Sequence, residues 1–393
     1  MGKFILAASI FPALALASCE GAATGDSVAA QDGVSDTIEL AADSPFTAVS
    51  HGEFEEPWAL DFEPGTGNVF ITEKSGTISF YQPASGRLGT LSEGVPDVAY
   101  GGQGGLGDIV FAPDYESSGM VYLSWAKGDP GSASRAAVGR GRLVCEEADI
   151  CRLDGFAQIW EQSRDGTRTG HYSHKIAFSP DGKHLFISSG DRQEQDPAQD
   201  LSNTLGTLVR LNLDGTPAAG NPFATRGSSA DQIWSYGHRN LLGLAFDPAG
   251  QLWEIEHGPR GGDELNRVDR GANYGWPVRS NGVNYNGDPI PDHSADDGFA
   301  KPAHSWDPVI APGGMIFYTG DMFAGWQGQL LVANLATTSI SRIATDSAAN
   351  SAVEEARYRF PKRLRDIAQA PDGAIWVIED EKGGRLLRLT PAQ

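Results

Sequence analysis

Apolar positions along this chain come in short runs, and the runs come in pairs. One run ends in Phe-x-Pro or a close variant, a glycine-bearing turn follows, and a second apolar run returns. The copies are LDFEPGTGNVFIT from Leu60, IVFAPDYESSGMVYLS from Ile109, IAFSPDGKHLFIS from Ile176, LAFDPAGQLWEI from Leu244 and IAQAPDGAIWVI from Ile367. A degenerate sixth, MIFYTGDMFAGWQGQLLVA, starts at Met315. Short apolar runs bounded by turn signals predict strands. Pro-Asp-Gly and Pro-Ala-Gly supply the fixed φ and the permissive glycine of a tight turn. The copies lead into further strands, as in GTISFY from Gly76, TLVRLNL from Thr207, SISRIA from Ser339 and RLLRLT from Arg385.

Six copies at spacings of roughly 50 to 70 residues mark a radial β array. A lone four-stranded sheet cannot bury both faces, whereas six packed around an axis bury them against one another. The predicted fold is therefore all-β, a six-bladed β-propeller of four-stranded antiparallel sheets, in one domain over residues 44–393. The wide spacing of the middle copies leaves room for long loops, which should gather at one face over the central channel.

The N-terminus predicts export. Lys3 precedes an apolar run, Phe4 to Ala17, too short to span a bilayer comfortably, so residues 1–18 read as a signal peptide. Leu16-Ala17-Ser18-Cys19 resembles the bacterial lipobox, which would make Cys19 a lipidated first residue on the periplasmic side of a membrane; a plain secretory signal is the other reading. Residues 19–43, rich in Ala, Gly, Ser and Asp, read as a flexible tether. In an exported protein, Cys145 and Cys151 suit a small disulfide loop, with two free thiols as the alternative. The net charge of −21 repels phosphate backbones and argues against nucleic acid as a partner.

Two polar clusters interrupt the apolar pattern, and buried polar groups are costly unless something uses them. His171, Tyr172, Ser173, His174 and Lys175 stand just before the strand IAFSP. A neutral imidazole there can take a proton from a hydroxyl, although a lone loop histidine is as easily satisfied by a carbonyl. Ile233 to Pro277 is the second cluster. Within it, Arg239 and Asn240 of YGHRN can hold an anion or form an interblade salt bridge. The glycine-rich turn His257 to Glu264 offers carbonyls and a carboxylate of the kind Ca²⁺ takes, or is a generic turn. Arg363 and Arg365, one residue apart, would face the same way on a strand, toward an anion or toward solvent. There is no Gly-x-Ser-x-Gly elbow and no dinucleotide or P-loop fingerprint. The nine tryptophans read chiefly as core, with one or two near the channel able to stack on a ring.

The segments IWSYGHRN, GLAFDP, EHGPRGGDELN and GANYGWP resemble the soluble quinoprotein glucose/sorbosone dehydrogenase family, on its periplasmic aldose sugar dehydrogenase branch. The resemblance extends through GGQGGLGDIVFAPDY, HYSHKIAFSPDG, DPVIAPGGMIFYTGD and RLRDIAQAPDG, and covers most of Pro57 to Leu389. It implies oxidation of aldose sugars at C1 to lactones, with pyrroloquinoline quinone (PQQ) and Ca²⁺ as cofactors and an external or membrane electron acceptor. By position it implies His171 as the catalytic base. Arg239 becomes an active-site cation, and Gln103, Asn240, Arg363 and Arg365 become quinone contacts. Gly258 and Pro259 are implied as carbonyl ligands of one calcium, and Glu264 and Tyr274 as ligands of a second. The implied chemistry passes the C1 hydride to the quinone while His171 takes the hydroxyl proton.

Two departures stand out. Ser173-His174-Lys175 replaces a Gly-Gly-Arg common in the family, so a second histidine lies near the base. Ala336 stands where many members carry a cofactor-contacting lysine. These leave open a non-catalytic, lipid-anchored propeller that has lost tight PQQ binding. A one-metal propeller lactonase lacks its expected ring of carboxylates and amides.

Overall fold

Each Phe-x-Pro pair folds into the two inner strands of one blade. The computed structural model describes Met1, residues 36–129 and residues 133–392. The expected signal peptide, Cys19 and most of the expected tether lie outside the described residues. Blade 1 comprises Pro57–Phe62, Val69–Glu73, Ile78–Gln82 and Arg87–Glu93, and blade 2 Leu106–Phe111, Met120–Gly128, Ser134–Glu147 and Ile150–Glu161. Blade 3 comprises Ser173–Phe178, His184–Ser189, Thr207–Asn212 and Ile233–Tyr236, and blade 4 Leu241–Phe246, Leu252–Glu256, Asp263–Arg267 and His304–Trp306. Blade 5 comprises Pro312–Phe317, Leu330–Asn334, Ser339–Asp346 and Ser351–Arg359. Blade 6 takes Leu364–Gln369, Ile375–Glu379 and Lys382–Pro391 from the end of the chain and Phe46–Glu55 from its beginning.

The innermost strands touch in sequence around the axis, and the strand from Leu364 returns to the one from Pro57. The ring is therefore closed. Antiparallel pairing of Phe46–Glu55 with Lys382–Pro391 joins the two ends of the chain and removes an open edge inside blade 6. Phe46 packs edge-on against Phe323 and Trp326, with ring centroids 5.5 and 5.6 Å away, which ties the seam to blade 5. Burying one such side chain is worth roughly 2–3 kcal/mol.

The sheet pattern departs from the expected one in two places. Asp36–Ile38 pairs with Ala48–Ser50 as a fifth strand on the outside of blade 6. The last part of the expected tether thus belongs to the sheet, because Phe46–Glu55 offers it an unpaired edge. Blades 1 and 2 also merge into one eight-stranded sheet, where Ile150–Arg152 runs parallel to Thr90–Glu93. At the hairpin beside that junction, Cys145 and Cys151 are direct cross-strand partners, with Cα atoms 4.0 Å apart, and form a disulfide.

Inner strands can crowd the axis only where side chains are missing. A Cβ on Gly314 would lie 1.5 Å from Asp366 Oδ1 of the next blade. Eight of the nine tryptophans are buried, Trp253 and Trp376 almost completely. Among the described residues, no helix is long and apolar enough to cross a membrane.

Candidate active site

Inner strands of all blades begin at one face, and second strands return to it. Gln103, His171, Arg239 and Arg363 all stand just before inner strands, while Asp191 and His257 follow second strands. The repeat thus brings loops distant in sequence to one end of the channel.

His171 is fixed by three contacts. Its amide donates to Gln103 Oε1 at 2.7 Å, its carbonyl accepts from the Arg192 amide at 3.3 Å, and its Nδ1 lies 2.7 Å from Asp191 Oδ1. Its backbone is left-handed, with φ 50°, as are Ser173 at 59° and His174 at 53°. Such conformations cost of order 1–3 kcal/mol each for non-glycine residues and collect at functional sites. With Nδ1–H donated to Asp191, Nε2 is left as the proton acceptor. Burial lowers the His171 pKa, Asp191 partly restores it, and Arg239 and Arg192 push it down again, so the ring is neutral at pH 7. Burial would raise Asp191, but the His171 hydrogen bond, with Arg239 and the Gln193 amide, outweighs it and lowers its pKa. The remaining oxygen, Oδ2, accepts the Trp276 indole N–H at 2.7 Å.

Arg239 and Asn240 share one anchor. Glu256 Oε2 accepts the Arg239 amide at 2.5 Å and the Asn240 amide at 3.2 Å. The guanidinium lies over Trp276, 5.2 Å from the ring centroid, and donates to the His257 carbonyl at 3.0 Å and the Tyr285 hydroxyl at 3.4 Å. Its Nε is buried without a partner, so the group keeps a donor for an anion. Asn240 Oδ1 accepts from Ser173 Oγ at 3.3 Å, and the same hydroxyl accepts the Leu241 amide at 2.9 Å. The base loop of blade 3 is thereby latched to the arginine loop of blade 4.

The two candidate quinone arginines diverge. Arg363 Nε and Arg365 Nε each lie 2.9 Å from the Asp380 carboxylate. The Arg365 guanidinium sits 4.4 Å from the Trp58 ring centroid and is 13% exposed, whereas Arg363 is 45% exposed and also faces Glu381. Arg365 therefore borders the channel and Arg363 lies toward solvent.

The turn after His257 has the donors a hard cation uses. Gly258 is packed so closely that a Cβ would fall 2.2 and 2.4 Å from the carbonyl oxygens of Gly262 and Gly261. Asp263 is consumed in building the turn, accepting the amides of Gly258, Ile310 and Ala311 at 2.7–2.9 Å. Among the described residues no hydrogen bond reaches the buried carbonyls of Gly258 and Pro259, which fits them to a cation. Glu264 is buried, and desolvation together with Glu256 and Glu254 raises its pKa well above the ordinary carboxylate range. A cation would relieve that. The Tyr274 hydroxyl is committed to the Arg267 carbonyl at 2.5 Å and the Asp269 amide at 2.9 Å, so only its carbonyl remains for a metal.

Of the two departures from the family pattern, His174 engages blade 2. Its Nδ1 lies 2.8 Å from Ser124 Oγ, and burial lowers its pKa to about 3, so it adds no charge beside the base. Lys175 spans the channel to Asp108 Oδ1 at 2.8 Å and Asp366 Oδ2 at 3.2 Å. Ala336 is exposed after the second strand of blade 5. Asp191, Trp276 and Glu256 are site residues that the sequence reading did not single out. Asp191 carried one weak signal, a Gly-Asp step directly after the apolar run LFISS.

A closed six-bladed propeller thus carries a carboxylate-held imidazole and a guanidinium at one channel mouth. The glucose/sorbosone dehydrogenase family profile matches residues 54–388, and the chain belongs to that family. It is 37% identical over 350 residues to the aldose sugar dehydrogenase YliI of Escherichia coli K12, covering 87% of this chain and 92% of that one. The crystal structure of the soluble E. coli aldose sugar dehydrogenase in its apo-form superposes with a TM-score of 0.81 at 34% identity, over 88% of this chain and all of that one. The PQQ-bound aldose sugar dehydrogenase of Streptomyces coelicolor superposes with a TM-score of 0.69 at 27% identity, over 91% and 98% of the two chains.

Proposed function

We propose that this protein oxidises aldose sugars at C1 to lactones, with PQQ and Ca²⁺ bound at the channel mouth. The observation that carries this reading is the 2.7 Å contact of His171 Nδ1 with Asp191, in a loop latched to Arg239. His171 Nε2 takes the proton of the anomeric hydroxyl, and Asp191 steadies the imidazolium that forms. Arg239 offers its unpartnered N–H to developing negative charge. Gln103 holds the base through its amide and keeps its own amide nitrogen for a ligand, with Asn240 and Arg365 as further contacts and Arg363 at the rim. Gly258 and Pro259 would hold one calcium through carbonyls, and Glu264 with the Tyr274 carbonyl a second. PQQ, when bound, supplies the two-electron acceptor for the C1 hydride. Cys145–Cys151 agrees with an oxidising compartment and so with an exported chain; anchoring through Cys19 and electron transfer to an external acceptor complete the proposal.

Reconstitution tests this. Protein supplied with PQQ and Ca²⁺ should reduce a redox dye with aldoses, and His171→Gln should abolish turnover while leaving the PQQ-dependent rise in melting temperature. Full turnover by His171→Gln would remove the base from this role.

A further inference from the structure

The proposed reaction leaves one buried polar cluster unexplained. Glu254 and Glu256 alternate along the second strand of blade 4 and so share a face, with Asn266 opposite Glu254 in register. His238, from the turn before Leu241, lies against both. Its Nδ1 is 3.5 Å from Glu254 Oε1 and 3.3 Å from Glu256 Oε1. His238 and Glu254 are completely buried, and Glu256 is nearly so.

Despite burial, Glu254 and Glu256 raise the His238 pKa to about 9, yet the contacts are long for a closed ion pair. A charge-assisted N–H···O⁻ bond closes to about 2.7–2.9 Å, and His171 with Asp191 does so in this same molecule. His238 instead makes one long hydrogen bond to Glu256 Oε1 at 3.3 Å and stays 3.5 Å from Glu254 Oε1. Ligand atoms at about 2.0–2.1 Å from a tetrahedral zinc lie roughly 3.3–3.4 Å from one another. The ring is also oriented for ligation. Its Nε2 is 2.9 Å from Ser235 Oγ, a hydroxyl able to accept from that nitrogen when Nδ1 gives up its proton to serve as a ligand. Tyr274 stacks on the ring at 4.5 Å and holds its plane.

Unpartnered atoms point to the same ligand. Glu254 Oε2 and Asn266 Oδ1 are buried with no hydrogen-bond partner. A lone buried carboxylate oxygen is expensive, and native structures leave few of them. Asn266 Nδ2 donates to Glu254 Oε1 at 2.7 Å; a divalent ion would replace that bond, satisfy the carboxylate and, with the amide turned over, take Asn266 Oδ1 as well.

We propose that His238, Glu254 and Glu256 bind a zinc-class divalent cation, with Asn266 as the fourth ligand. The imidazole selects a borderline metal over calcium, which takes oxygen donors. The site uses none of the Gly258–Pro259 or Glu264–Tyr274 donors but adjoins the latter, since Glu256 faces Glu264 across the strand pair and Tyr274 stacks on His238. Glu256 binds the ion through Oε1 and the Arg239 and Asn240 amides through Oε2, so the ion braces the turn that carries the active-site cation.

The test is equilibrium dialysis of metal-stripped full-length protein against Zn²⁺ in excess Ca²⁺, with metal content read by mass spectrometry. The expected result is one tightly held equivalent of zinc and a raised melting temperature. Glu254→Leu, verified as folded by circular dichroism, should bind zinc at least a hundredfold more weakly. An unmetallated wild type, or a folded Glu254→Leu that keeps its equivalent, overturns the proposal. If Glu254→Leu does not fold, Co²⁺ added to stripped wild type decides. The visible d–d bands of four-coordinate cobalt support the site, and their absence rejects it.

Discussion

Trp276 of the blade 4 loops and His171 of blade 3 grip the two oxygens of one carboxylate, Asp191 Oδ2 and Oδ1, each at 2.7 Å. The indole prevents Asp191 from rotating, so Oδ1 faces His171 Nδ1 in one geometry. Asp191→Asn keeps the shape but can present an N–H to Nδ1, favouring the tautomer that protonates Nε2. We expect kcat for dye-linked aldose oxidation to fall by ~10²–10⁴-fold with little change in KM. Because His171 titrates below the ordinary imidazole range, wild-type activity should stay flat through neutral pH and fall only in acid. An Asp191→Asn enzyme within a few-fold of wild type would show that the carboxylate does not orient the base.

The two arginines that the sequence pairs should not be equal in effect. Arg365 lies over Trp58 at the channel, and Arg363 is largely solvated beside Asp380 and Glu381. A desolvated charged contact is worth ~1.5–3 kcal/mol, so Arg365→Ala should weaken PQQ binding by roughly 10- to 100-fold. Arg363→Ala should cost only a few-fold, in line with a screened contact. Titration of metal-loaded apoprotein with PQQ, followed by protein fluorescence, gives both numbers. The reverse order would place Arg363 inside the site.

The blades were legible because the buried Phe-x-Pro hairpins leave a period in the sequence, and the six copies coincide with the six inner strand pairs. Blade closure was not, since nothing local in Phe46–Glu55 says that its partner is Lys382–Pro391. His171 and Arg239 were legible as polar residues at strand starts. Asp191 and Trp276 were not, because they are 85 residues apart and only the ring of blades makes them neighbours. Arg363 and Arg365 illustrate another limit. Alternation places them on one side, where both reach Asp380, but how far each lies from the channel depends on the loop that precedes the strand.

Acid should destabilise this fold through its inner histidines. Burial lowers the pKa of His174 to about 3, from about 6.5 in the unfolded chain. A depressed pKa means stability that is complete above pH 6.5 and lost as pH falls toward 3. His257, also lowered to about 3 chiefly by burial, acts in the same direction. His174→Asn suits the left-handed backbone at φ 53° and removes one of the two groups. Melting temperature plotted against pH should therefore fall less steeply below pH 6.5 in the variant. Parallel curves would exclude His174 as a source of acid sensitivity.

The disulfide should matter for stability and not for turnover. Cys145 and Cys151 close a short hairpin on the outer strands of blade 2. Loop entropy for so short a closure gives about 2 kcal/mol. The Cys145→Ser, Cys151→Ser double variant should melt a few degrees lower with unchanged kcat, by calorimetry and dye-linked assay. A large loss of kcat would mean that the hairpin supports the channel mouth.

Lys175 carries the sharpest electrostatic prediction. Its ammonium is buried between Asp108 and Asp366, and those carboxylates also accept the amides of Ile176 at 2.8 Å and Leu60 at 3.2 Å. The two acids outweigh burial and raise the lysine pKa. Lys175→Met keeps most of the side-chain volume and leaves two buried carboxylates without a counter-charge, which should cost ~3–5 kcal/mol at neutral pH. Burial already raises Asp366, and without the lysine it should titrate higher still. Carboxylates whose folded pKa is raised give stability at low pH and withdraw it as pH rises, so the deficit should shrink at pH 5 and widen at pH 8. Urea unfolding at the two pH values measures this directly, and a second variant, Lys175→Met with Asp366→Asn, should recover part of the loss. Equal deficits at both pH values, with no recovery, would mean that Lys175 acts by packing and not as the charge that seals the channel.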